Sequence, residues 1–140
     1  MTAKVYEFLN APRWTEEELK KAEILKEEQI MALQPGAIRY DGVKVLSSPS
    51  DNLSERMNDV YELDKAIDTL KAELKMQKRR ITEASRRWLP ESSGDIIIMR
   101  YVVGYRWCDI AKRTKNAMRT VFKLHKSATD TLDEKLRNII

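Results

Sequence analysis

The stretch DIAKRTKNAMRTVFKLHK, residues 109–126, holds six lysines and arginines against one acid, threaded on an apolar skeleton of Ile110, Ala111, Met118, Val121, Phe122 and Leu124. Side chains of these types at helical spacing offer two kinds of chemistry. Lysine neutralises a phosphate as a point charge, and Arg or Asn can also meet the donor and acceptor pattern of a base edge. A helix-turn-helix would deploy them in a set way. One helix buries its inner face, a turn of about three residues follows, and a second helix keeps a face free for the major groove. Trp107, Ile110 and Ala111 suit the inner face of the supporting helix, and Val121, Leu124 and Ala128 suit that of the next. The faces left over carry Lys115, Asn116, Met118, Arg119, Phe122, Lys123 and Lys126. Arg106, Lys112 and Arg113, on the supporting helix, could grip the flanking backbone. Basic helical hairpins without a nucleic-acid role share this composition, so the rest of the chain has to weigh in.

The charge balance does. Residues 1–75 contain 11 Lys/Arg and 15 Asp/Glu, a net −4, while residues 76–140 contain 15 and 7, a net +8. Positive charge gathered in one half of a chain points to a polyanion there, nucleic acid above all. Other classes fall away. No apolar run approaches the roughly 18 residues of a membrane span, and the first residues lack a signal-peptide pattern. Cys108 is the single cysteine and His125 the single histidine, so neither a disulfide nor a Cys- or His-rich metal site is expected. The sequence offers no phosphate-cradling glycine loop, nucleophile elbow or ligand cluster, so neither an enzyme nor a cofactor is expected.

The elements that would position the basic stretch are helical. TEEELKKAEILKEEQIMAL, residues 15–33, predicts a helix capped by Thr15, with Glu18 completing a capping box and Trp14 as a staple; Pro35-Gly36 ends it. Residues 35–51 read as an irregular connector with a short extended piece at Val43–Val45. From Asp51 a heptad begins. Position a falls on Leu53, Val60, Ile67, Leu74, Ile81 and Trp88, position d on Arg56, Leu63, Leu70, Gln77 and Ala84, and nine of these eleven are apolar. So narrow a stripe on a long helix implies a coiled-coil seam that pairs with the N-terminal helix, with a second copy, or with both. Asn52 or Ser54 suits its start and Pro90 its stop. Leu53, Val60, Leu63, Ile67, Leu70, Leu74 and Ile81 are the candidate oligomerisation residues. A trihelical segment follows: a helix capped by Ser92 or Ser93 and ended by Gly104, then a short helix over RWCDIAKRT, then a long one. The fold expected is all-α, with an N-terminal helical oligomerisation region over 1–90 and a helix-turn-helix domain over 91–140.

Three residue pairs and a glycine in the last third carry a resemblance. Arg100-Tyr101, then Gly104, then Ile110-Ala111 and Thr120-Val121 stand at the spacings found in region 4 of bacterial sigma factors, which the segment 100–132 resembles. A closer similarity is to small phage and prophage proteins of the ArpU/RinA type, late transcriptional regulators of Gram-positive bacteria and their relatives. That group often has T-V-x-x-L-H-K-x-A at the recognition helix, here Thr120 to Ala128, and a YD-x-V-K-V…S-P connector before a heptad helix, here Tyr40 to Val45 with Ser48-Pro49. The similarity spans roughly residues 19 to 135. It implies a phage-encoded, double-stranded-DNA-binding regulator that activates late or packaging genes; a cytoplasmic homodimer is the expected form. One departure stands out. Relatives place a glycine in the turn and Ser or Thr at the cap, where this chain has Lys115 and Ala117. Either the turn is remodelled, with Asn116 capping one residue earlier, or base reading is weakened. Two further readings stay open: a small terminase subunit, which also joins a helix-turn-helix to a coiled-coil arm, and an adaptor that holds RNA polymerase or a host regulator through protein contacts alone.

The remaining residues have plainer readings. His125 packs or meets a phosphate, Cys108 is semi-buried, and Trp88, Trp107 and Tyr101 are core aromatics. The runs KRR at 78–80 and RR at 86–87 form a solvated face of the coiled coil, with a DNA-backbone contact as the sharper reading.

Overall fold

A computed structural model describes residues 1–33 and 49–139, the side chains of 49–52 excepted; the expected connector, including Val43–Val45, lies largely outside them. The described residues are all-α, with no strand among them. In chain order they form α1 (Ala3–Leu33), α2 (Pro49–Trp88), α3 (Glu91–Ile97), α4 (Trp107–Thr114) and α5 (Met118–Arg137), with α3 running on into a π-helical segment at Ile98–Val103. No described helix is long and apolar enough to cross a membrane.

The chain divides into two compact units, Thr15–Glu73 and the combination of Met1–Trp14 with Leu74–Ile140. The first carries 8 Lys/Arg and 14 Asp/Glu, net −6, and the second 18 and 8, net +10. Within the acidic unit α1 and α2 run antiparallel, since Lys26 pairs with Asp64 while Arg56 donates to the Ala32 carbonyl at 2.9 Å. Leu19, Ala22 and Ile67 are buried between them. Part of the heptad seam is thus closed inside one chain. Val60, Leu63 and Leu70 are half-buried and Leu53 is exposed.

The basic unit has two cores that α3 feeds from adjacent residues. Ile97 joins Val5 and Leu9 of α1, Ile81 and Ala84 of α2, Leu89, and Ala128 and Leu132 of α5. Ile96 joins Ile110 and Ala111 of α4 and Val121 of α5. Both isoleucines are fully buried, each contributing about 1.5–3 kcal/mol over an exposed position. Adjacent helical residues point about 100° apart, so one short helix can hold both layers. Gly94 permits its close approach to α2, since a Cβ there would sit 3.1 Å from the Ser85 carbonyl oxygen. The trihelical segment therefore shares its core with the start of α1 and the end of α2.

Several local expectations are corrected. Thr15 does not start a helix; it is buried inside α1, which begins twelve residues earlier at Ala3. Glu16 to Glu18 and Trp14 lie in the same helical run, and Trp14 is exposed beside Tyr6, with ring centroids 5.9 Å apart. Helix continues through Pro12, although an interior proline costs about 3 kcal/mol. Val5, Leu9 and Pro12, at i, i+4 and i+7, form one buried face, and its packing offsets that cost. Thr2 supplies the cap instead: its hydroxyl accepts from the Val5 N–H at 3.4 Å and donates to Asp133 at 2.8 Å. α2 starts at Pro49, ahead of Asn52 and Ser54, and stops before Pro90 as expected. α3 takes no cap from Ser92 or Ser93; Pro90 holds the N-cap position and Ser93 donates back to its carbonyl at 3.3 Å. Cys108 is exposed rather than semi-buried.

Candidate nucleic-acid interface

The π-helical segment ends at Gly104, whose φ of 95° is the left-handed conformation that glycine tolerates best. The N–H groups of Gly104 and Tyr105 both donate to the Met99 carbonyl at 2.9 Å. The chain then turns into α4, whose inner face is Ile110 and Ala111. Thr114 donates its hydroxyl to the Ile110 carbonyl at 2.8 Å, satisfying a group near the helix end.

Three residues, 115–117, separate α4 from α5. Lys115 adopts φ 57°, ψ 36°, and its N–H and that of Asn116 close the helix on the carbonyls of Lys112 and Ala111, at 3.3 and 3.0 Å. The turn therefore has the left-handed geometry that glycine would favour, built here with a lysine. A side chain in that region costs about 1–2 kcal/mol. Ala117 occupies the N-cap of α5 in an extended conformation with no side-chain cap, and Asn116 does not replace it. The first-turn N–H groups of α5 are left for an outside acceptor. Lys115→Gly should raise stability by about 0.5–1 kcal/mol, the left-handed strain relieved less the glycine entropy. Thermal melts should show a gain of a few °C.

On α5, Val121, Ala128 and Leu132 are buried, and Leu124 is half-buried against the second core. Arg119, Lys123 and Lys126, at i, i+4 and i+7, are exposed on the opposite side of the helix. Lys112, Arg113, Lys115 and Arg106 are exposed as well, and Asn116 is half-buried. Met118 is 39% and Phe122 46% exposed. Phe122 meets the Trp107 ring edge-on at 5.2 Å, and Arg113 lies over the Tyr105 ring at 4.2 Å. None of the three lysines and arginines on the α5 stripe has an ion pair with a carboxylate among the described residues. Sequence spacing thus brought together the residues that the fold places on one stripe. No group of three or more His, Cys, Asp or Glu able to hold a metal occurs among the described residues.

Sequence reasoning missed what supports that stripe from behind. The Tyr101 hydroxyl and His125 Nε2 share a hydrogen bond of 2.7 Å, joining the π-helical segment to α5. Trp107 sits edge-on to His125 at 4.9 Å, Arg100 lies over the Trp107 ring at 4.7 Å, and Arg100 donates to the Tyr105 carbonyl at 3.1 Å. Tyr101 and His125 are 24 positions apart, and no local pattern links them. Burial lowers the His125 pKa, and the charges of Arg100 and the amino terminus lower it further. Burial likewise raises that of Tyr101, against the opposing pull of Arg100. An unfolded imidazole takes up a proton near pH 6.5, the folded one only at lower pH, so between the two the unfolded state binds more protons. Stability from this contact is complete above about pH 6.5 and is lost as pH falls through the folded value. Urea midpoints measured from pH 7.5 to 5 should therefore decline, and His125→Gln should flatten that part of the decline.

Compared with known proteins, the chain matches no family model, no curated protein and no solved structure.

Proposed function

We propose that the basic unit binds double-stranded DNA, with α4 and α5 as a helix-turn-helix and α5 entering the major groove. The observation that carries this reading is the α5 stripe: Arg119, Lys123 and Lys126 exposed opposite Val121 and Ala128, with no carboxylate paired to them among the described residues. Lys112, Arg113, Lys115 and Arg106 extend the cationic surface, and the uncapped start of α5 adds N–H donors suited to a phosphate. Arg119 and Asn116 are the residues assigned to base edges, and the lysines to phosphates. The likeness of residues 100–132 to sigma region 4, and of the wider chain to ArpU/RinA-type regulators, supports a phage transcriptional role at late or packaging promoters. Leu53, Met57 and Tyr61, at i, i+4 and i+8 on α2, remain exposed after the pairing within the chain. They support self-association, which would supply a second half-site.

The test is a salt titration of duplex binding by fluorescence anisotropy. If about six phosphates are neutralised, log affinity against log salt should slope near −5. Binding that is absent, or indifferent to salt, would refute the reading.

A further inference from the structure

The basic unit has a second feature that the DNA reading leaves unused. Between α1, the end of α2 and the end of α5 lies a groove of about 210 Å³, floored by Phe8, Ala84, Trp88 and Leu136 and edged by Arg80 and Arg87. Phe8, Trp88 and Leu136 pack from outside against the larger core, so the floor is anchored. Neither arginine has a hydrogen bond or ion pair among the described residues. Glu83, the one acid in the lining, is 3.9 Å from Arg79 on its own helix. Lys4, in the neighbouring depression beside Phe8 and Arg80, is occupied with the Leu136 carbonyl at 3.0 Å.

Size and charge together select an occupant. Sites for whole small molecules usually span about 300–1,000 Å³, so this groove suits one large apolar side chain better. A nucleic-acid backbone has no use for an apolar floor. Arg80 and Arg87 are two helical turns apart, about 10.5 Å along the axis. A helix laid along the groove would meet both with carboxylates seven residues apart, and set an apolar residue between them onto the floor. We propose that this groove docks an amphipathic helix of a partner protein, with acid, apolar and acid residues at i, i+3 or i+4, and i+7. The proposal does not depend on DNA binding by α5.

Isothermal titration of the full chain tests it with three helical peptides: Glu at i and i+7 around a Leu, the same with both Glu replaced by Lys, and the same with Leu replaced by Ala. The acidic Leu peptide should bind, and each of the other two should bind at least about tenfold more weakly. Arg80→Glu with Arg87→Glu should invert the order, favouring the Lys peptide; circular dichroism checks that this variant is folded. Arg80→Gln with Arg87→Gln serves in its place should charge reversal unfold the chain, and should remove the preference. Equal binding of the acidic and Lys peptides, no binding of any, or an unchanged order in the variants would overturn the proposal. So would a loss of duplex DNA affinity in these variants with no peptide binding, which would assign the arginines to DNA instead.

Discussion

Arg119→Glu combined with Lys123→Glu is expected to weaken duplex binding by roughly 10²-fold or more near physiological salt, with little change in the melting temperature. Both side chains are exposed on the side of α5 opposite Val121 and Ala128, so their replacement leaves both cores intact. A charge-assisted contact contributes about 1.5–3 kcal/mol, and two lost contacts with added repulsion reach the stated factor. The salt dependence offers a second readout. Of the two only Lys123 is assigned to a phosphate, and each lost phosphate contact should lower the slope by about one, taking it from near −5 to near −4. Arg119 carries a further signature: as a base-reading residue, Arg119→Ala alone should narrow the gap between preferred and random duplexes, whereas Lys123→Ala should weaken both alike. Unchanged affinity in the double variant would place the interface elsewhere.

The second large effect concerns what holds α5 in position. Ile81→Ala should cost about 2–5 kcal/mol in urea unfolding, the range for large-to-small changes in a packed core. Ile81 is 1% exposed and shares its core with Val5, Leu9, Ile97, Ala128 and Leu132. It thus supports α5 from a helix that the heptad pattern assigns to an oligomerisation arm. Leu53, also at a seam position, is 47% exposed, and Leu53→Ala should stay within about 0.5 kcal/mol. The two positions are equivalent in the repeat and unlike in the fold. A small effect at Ile81, with a fold unchanged by circular dichroism, would mean that the trihelical segment is held without α2.

Much of this architecture was legible because its signals are local. Gly104 ends a helix where a left-handed residue is required, Pro90 follows the end of α2, and the apolar spacing of Ile110, Ala111, Val121 and Ala128 marked the inner faces of α4 and α5. Such signals act within one or two turns, so a linear reading captures them. The stripe of Arg119, Lys123 and Lys126 followed by elimination, as the side of α5 that the buried residues leave to solvent.

The start of α1 was misread for the opposite reason. A cap at Thr15 is worth about 1 kcal/mol, and a proline before it argues locally for a break. The helix nevertheless runs through both, since Val5, Leu9 and Pro12 bury a face in a unit whose other core residues begin only at Ile81. The Tyr101–His125 hydrogen bond, the merging of α2 with the trihelical core, and the meeting of Phe8, Arg80, Arg87 and Leu136 around one groove have the same origin. Short-range patterns choose helices and their faces. Which faces meet is decided by burial summed over segments distant in the chain, and that sum exceeds any single cap or propensity.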